Sequence, residues 1–316
     1  MTGGRGLLLR LGVAPVVAAL IVLIAVLLPE LTGVDAARTV LATRYAEADP
    51  DPALLAGIRA DLGLDLPLPQ RVLQRLGSML SGDLGSSWVS GAPVAAVIGP
   101  AVQVSLGIML GAAVLSFLVG YLAGLLAARR PGSVTDRALT GLVRVFSALP
   151  EFALAPILVL VFAVGLQALP SSGWRGPEYS VLPLLSLVPS LAVPIAAVTR
   201  EQVVALRREN FVLAAHARGL GALRIWGVHL SRPALPAALS LVTYNAAGAV
   251  SGTTAIEVVF DIPGLGSTVV EAVRAQDVPV VQAGLVVAAL AALCVGAVGD
   301  LLGLAAEPRT RREVPR

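Results

Sequence analysis

The sequence predicts an all-α membrane protein: six transmembrane helices, with an external segment after the first. Three observations carry this expectation. Of 316 residues, 56% are hydrophobic and 14% charged, and the mean hydropathy is +0.85, whereas a soluble domain carries about 25% charge. Six stretches are apolar over the length, about 20 residues, that crosses a bilayer. The arginines are shared unevenly between the loops that join these stretches.

The spans are expected over 11–28, 101–128, 138–166, 181–199, 235–256 and 278–302. Residues 1–30 hold the first helix, 31–100 the external segment, 101–304 the other five helices, and 305–316 a tail. The first apolar run of 18 residues exceeds the 7–15 of a signal peptide's core, so it is expected to stay as a helix. Arg5, Arg10, Arg129, Arg130, Arg137, the six arginines of 200–232 and the four after Glu307 put 15 on one side of the membrane, against seven on the other. Arg144 falls inside the third span. Arginine marks the cytoplasmic face, so both termini of this multi-pass protein are expected inside.

In the external segment, Leu54, Leu55, Ile58 and Leu62 recur at helical spacing, and Val72, Leu73, Leu76 and Leu80 suggest a second short helix that Gly82 and Gly85 break. The spans carry glycine pairs four apart, Gly107/Gly111, Gly120/Gly124, Gly248/Gly252 and Gly299/Gly303, a spacing that lets helix backbones approach closely in lipid. Pro183, Pro189 and Pro194 are expected to kink the fourth span.

Composition also excludes functions. The chain has no lysine, so the phosphate-cradling loop GxxxxGK[ST] cannot exist in it. Aromatic residues make up 4%, too few for a platform that stacks single-stranded bases, so no nucleic acid is expected. Cys294 is the lone cysteine and reads as apolar filler. No metal site is expected.

The polar chemistry gathers in 200–232, with six arginines, His216, His229 and two glutamates. Val203, Val204, Leu206, Phe211, Ala214 and Ala215 suit an amphipathic helix from Arg200 to Arg218, interrupted by Gly219 and Gly221. Ala214 and Ala215 would form a smooth, narrow surface, and Gly219 allows a turn with positive φ. On these residues alone, two readings stand: a short helix that fits a groove on another protein, or a basic loop resting on anionic headgroups.

The stretch LAAHARG followed by LGALRIWGVHLSRPALP resembles the cytoplasmic EAA loop of the permease subunits of bacterial ABC importers. In that motif a glycine follows the last alanine by four residues, as Gly219 follows Ala215; the glutamate is replaced by Leu213, as is common in the peptide branch. LGLDLPLPQRVLQRLGSMLSGDLGSS, EVVFDIPGLGSTVVEAVRAQDVPVVQAG and GDLLGLAAEPRTR resemble, in order, the external segment, the signature between the last two spans and the ending of dipeptide, oligopeptide and nickel permeases.

The resemblance implies a type I ABC importer permease fold, with 101–304 as its transmembrane domain. It implies a non-enzymatic subunit that forms half of a pathway for peptides or a related small solute. It implies a second homologous permease, two ATPase subunits that bind the ATP and Mg, an external substrate-binding protein, and surrounding membrane lipid; no cofactor is expected on this chain. It assigns ATPase coupling to 209–220, with Glu209, Ala214, Ala215, Arg218, Gly219 and Leu220. It assigns the external gate to Glu257, Phe260, Pro263, Gly264 and Gly266, with Glu257 interfacial at the end of the fifth span. Glu151 lies at membrane depth, where a carboxylate faces a cavity or a partner; it is a candidate for the translocation path. Asp300 is expected to bond a nearby arginine.

Two other functions compete. A stand-alone secondary transporter wants several deep charges and an internal repeat, and only Glu151 is clearly deep. An intramembrane serine protease wants a base near its nucleophile at membrane depth, and both histidines lie in the loop.

Overall fold

The computed structural model describes residues 16–27, 33, 36–44, 52–148 and 151–306. Among these the chain folds as helices, joined by turns, with a single isolated bridge between Ser86 and Pro93. In order they are α1 Val16–Leu27, α2 Ala36–Arg44, α3 Pro52–Asp61, α4 Leu68–Leu80, α5 Val94–Arg129, α6 Val134–Ala148, α7 Glu151–Leu158, α8 Val181–Leu206, α9 Asn210–Ala217, the single turn α10 Ala222–Arg224, α11 Arg232–Val259, α12 Leu265–Arg274 and α13 Val278–Ala306. Two π-helical segments, Val159–Gly165 and Ile225–Ser231, extend α7 and lead into α11.

Among the described residues, three helices are long and apolar enough to cross a membrane: Val94–Arg129, Pro177–Leu206 and Val278–Val298. They fall on the second, fourth and sixth expected spans. Val16–Leu27 and Phe152–Gly165 are apolar but shorter. Over the third expected span the described residues form α6, α7 and the π-helical segment Val159–Gly165; residues 149 and 150, Pro150 among them, lie outside the described residues. The fourth runs unbroken through Pro189 and Pro194. Arg5, Arg10, the ends of the first span and the tail from Glu307 lie outside the described residues, as do the side chains of Glu151 and Asp300 and the surroundings of Gly248, Gly299 and Gly303.

The chain divides into two compact units. The larger takes in Leu106–Ile262 and the described end of α13 from residue 292. Its centre is α8 on α5 and α11. Of the glycine pairs, Gly120/Gly124 fulfils the expectation: a Cβ on Gly120 would collide with Ala192 and Ile195, and one on Gly124 with Ala196 and Thr199. Gly107 has nothing nearby and Gly111 makes ordinary contact with Leu184, so that pair does not bring backbones together.

The smaller unit takes in the described residues up to Ser105, together with Pro263–Ala291. The periodic leucines do fold as α3. Ile58 is buried with Ala37, Val40, Leu41, Trp88 and Val278, and Leu54, Leu55, Leu62 and Leu64 pack on this cluster. Gly82, next to the C-cap Ser81, ends α4 at φ +86°, and Gly85 in the loop beyond it sits at +77°, both in the left-handed region that glycine adopts without strain. Asp277 is buried; it accepts hydrogen bonds from the Ser87 hydroxyl and from the Trp88 amide at 2.9 Å.

Candidate functional site

The arginine-rich loop is a folded element with its own core. The expected helix from Arg200 to Arg218 is two helices: Arg200 to Leu206 completes α8, and α9 begins at Asn210. Glu209 makes the break, because its extended backbone (φ −75°, ψ 144°) lets its carbonyl accept from Val212 at 3.0 Å and open the new helix.

α9 closes with a Schellman motif. The Leu220 amide donates to Ala215 O at 3.2 Å and the Gly219 amide to His216 O at 2.9 Å, with Gly219 at φ +72°. Nothing lies within 4 Å of a Cβ built on Gly219. The glycine is therefore required by backbone shape and not by crowding. The positive φ expected there is present.

The two alanines separate. Ala215 is 4% exposed and buried with Val212, Ile225, Leu230, Val203, Ala128 and Ala234, with Leu220 and Trp226 packed against them. Ala214 is exposed. The expected outer surface of both alanines is corrected: at 100° per residue, Val212 and Ala215 take the inner stripe and Phe211, Leu213, Ala214 and Arg218 face out. Leu213 is 57% exposed. Both histidines bond backbone: His216 Nδ1 donates to Val212 O at 2.9 Å and His229 Nδ1 lies 3.5 Å from Arg224 O.

The loop is tied to its neighbours by polar groups. The Tyr121 hydroxyl donates to Ser231 O at 2.6 Å, and Arg207 Nη1 donates to Ala128 O at 3.1 Å. At the start of the loop, Arg200 grips Asp136 through Nε and, at 2.8 Å, Nη2, while Asp136 also accepts the Gly132 amide at 2.7 Å. The Arg200 hydrogen bond first, then that of Gly132, hold the Asp136 carboxyl below its ordinary pKa. With the folded value below the unfolded one, this stabilisation is complete above the ordinary carboxylate range and is lost as pH falls through the depressed value. Asp136→Asn is expected to cost about 1–3 kcal/mol, read as a lower unfolding midpoint in detergent at pH 7 and a smaller difference from the parent in acid. Identical melting curves at both pH values would show that the pair holds nothing.

The other named residues lie elsewhere. In the larger unit, Phe260 is buried and its carbonyl accepts from Gly173 at 2.8 Å. Glu257 is fully buried: it shares a side of α11 with the buried Thr253 and Ile256 and with Phe260, the residue that caps the helix. In the smaller unit, Pro263 precedes Gly264, the N-cap of α12, and Gly266 lies in its first turn. Glu151 starts α7.

Among the described residues, bilayer-length apolar helices are joined to a folded arginine-rich loop, and comparison with known proteins shows which class of protein has this build. The chain belongs to the family of binding-protein-dependent transport system inner membrane components, which it matches over residues 120–312. It is 29% identical to the metal-staphylopine import system permease protein CntB of Staphylococcus aureus, over 90% of this chain and 91% of that one. It is 30% identical to the glutathione transport system permease protein GsiC of Pectobacterium atrosepticum, over 95% and 96%, and 30% identical to the oligopeptide permease OppB of Haemophilus influenzae, over 82% and 86%. The fold is similar to a chain of the inward-facing MetNI methionine ABC transporter, with a TM-score of 0.57 and 19% identity, covering 68% of this chain and 98% of that one. The chain is thus a permease subunit of an ABC importer and not an enzyme; in this family ATP hydrolysis lies in separate subunits.

Trp226 and Tyr121 were missed from sequence. The groups that tie them to the loop and to the helix ends, Ser231 for Tyr121 and Arg129 and Arg207 for Trp226, lie 19 to 110 residues away, beyond any periodic signal.

Proposed function

We propose that this chain forms half of a six-helix-per-subunit pathway for peptides or a related small solute, with both termini in the cytoplasm. A second, homologous permease completes the pathway, two ATPases holding ATP and Mg drive it, and an external binding protein delivers the solute. Residues 209–220 are the coupling element, with Glu209 opening the helix, Gly219 and Leu220 closing it, Ala215 holding it down, and Ala214 and Arg218 on its outer face. Residues 31–100 form the external segment and 101–304 the transmembrane domain. Glu257, Phe260, Pro263, Gly264 and Gly266 belong to the external gate, and Glu151 lines the path.

One observation carries the coupling assignment. An arginine-rich loop that served only to rest on headgroups needs no internal core and no left-handed cap, yet α9 has both. Its outward face also carries the exposed Phe211, Leu213 and Ala214 beside Arg218, an apolar ridge with a charged end that suits a groove. Affinity purification of the tagged chain from cells making the whole transporter is expected to recover a second permease and two copies' worth of ATPase. Recovery of a lone chain that transports without an ATPase would overturn the reading.

A further inference from the structure

We propose that Trp226 is the positioning residue that fastens the coupling element to α5, so that a displacement of α9 by its partner is delivered to a membrane-length helix and not absorbed in the loop. This rests on the coupling assignment above.

The loop could be attached in many ways, since apolar packing alone tolerates sliding. Val212 and Ala215 hold α9 only through apolar contact with Ile225, Leu230 and their neighbours. The segment they lean on, Ile225–Ser231, is better fixed, and Trp226 is its second residue. The Arg129 guanidinium lies over the Trp226 ring with Cζ 6.0 Å from the centroid, and that of Arg207 lies over it at 5.9 Å. Arg129 is the last residue of α5, and Arg207 is the first residue after α8. One indole therefore holds the ends of two long helices. Arg207 also donates to Ala128 O at 3.1 Å and to Arg129 O at 3.4 Å, carbonyls in the last turn of α5 that no further helical turn can satisfy.

The far end of the same segment is tied to the same helix. Ser231 O accepts the Tyr121 hydroxyl at 2.6 Å, and the Tyr121 ring stacks on Phe117 at 5.5 Å between centroids. Residues 226 and 231 thus engage α5 two turns apart, a separation that resists rotation as well as sliding. π-helical geometry, which Ile225–Ser231 adopts, is rare and recurs at functional sites. The side chain at 226 must present a π face, because the attraction of each guanidinium to the ring offsets the repulsion between the two cations. A leucine would fill volume without orienting either cation.

The test uses the complete transporter in proteoliposomes, with uptake and ATP hydrolysis measured together. Trp226→Ala and Trp226→Leu are expected to retain the ATPase and hydrolyse ATP while uptake per ATP falls about fivefold or more. Trp226→Phe, which keeps a ring face, is expected to stay within about twofold of the parent. Full coupling in Trp226→Leu would overturn the proposal, as would equal loss in Trp226→Phe and Trp226→Ala. If the alanine chain does not accumulate, the same question is put to the folded protein by fluorescence. With Trp88 and Trp174 replaced by phenylalanine, Arg129→Gln should raise acrylamide quenching of Trp226; unchanged quenching overturns the clamp. Gly219→Val separates the two claims. If it leaves uptake intact, the coupling assignment falls. If it abolishes uptake while Trp226→Leu stays coupled, only the role of Trp226 falls.

Discussion

Gly219→Val is expected to abolish uptake, whereas Gly219→Asn transports like the parent. Both changes add a side chain into open space, since nothing lies within 4 Å of the new Cβ. They differ only in what φ +72° costs. Asparagine tolerates the left-handed region and serves as a helix C-terminal cap; a β-branched valine there is strained by about 1–3 kcal/mol. Strain of that size opens the Schellman turn and lets the end of α9 unwind, while membrane insertion, set by apolar length and arginine bias, is unaffected. Ala214→Trp should have the same effect by another route. Ala214 is exposed, so the chain folds normally and the indole occupies the partner's groove, releasing the ATPase. Ala215→Trp forces its ring into the buried cluster with Val212, Ile225 and Leu230, and overpacking of this kind costs about 1–3 kcal/mol or more; it should lower chain accumulation as well as coupling. ATPase retention and uptake are measured for the set. The headgroup reading predicts the reverse order, with Arg208→Gln and Arg218→Gln the most harmful and both Gly219 variants mild. Arg207 is unsuited to that comparison because it also bonds Ala128 O.

What the sequence made legible was whatever depends on neighbours within a turn or two. The leucines of α3, the glycines after α4 and the left-handed Gly219 are local facts, and each appears as expected. The second, fourth and sixth expected spans appear as long apolar helices among the described residues, because bilayer length leaves such stretches few alternatives. What failed depends on tertiary partners. Ala214 and Ala215 are adjacent and chemically identical, and only the core under α9 decides which one faces out. Glu257 stands at the end of its span, and only its neighbours Thr253, Ile256 and Phe260 decide that its side chain is fully buried. Gly107/Gly111 and Gly120/Gly124 are the same motif, but only the second meets the α8 backbone. Asp277 reaches Ser87 across 190 residues, a pairing no periodicity encodes.

Deleting residues 50–80 is expected to abolish uptake and leave the ATPase bound. The deletion removes α3 and α4, and with them Ile58 and the half-buried Leu54, Leu55, Leu62 and Leu64, uncovering Trp88 and Val278. Each such side chain stabilises by up to about 1.5–3 kcal/mol when fully buried, so the smaller unit loses most of that cluster. It also removes Arg75, whose Nε donates to Gln282 Oε1 at 3.3 Å and whose Nη2 donates to Leu84 O at 3.0 Å. None of these residues contributes to the cluster beneath α9, so the coupling element keeps its support. Under the proposed topology the loss therefore falls on binding-protein docking and gating alone. A finer variant guards against gross misfolding. Asp277→Ala keeps α3 and α4 but removes the carboxylate that accepts from the Ser87 hydroxyl and the Trp88 amide, at about 1.5–3 kcal/mol for a hydrogen bond to a charged group. It should weaken stimulation of ATP hydrolysis by the binding protein while basal hydrolysis stays at the parent's level. Loss of the ATPase from the deleted chain would show that residues 50–80 face the ATPase side and that the topology is inverted. Normal uptake in both variants would show that the smaller unit takes no part in delivering the solute.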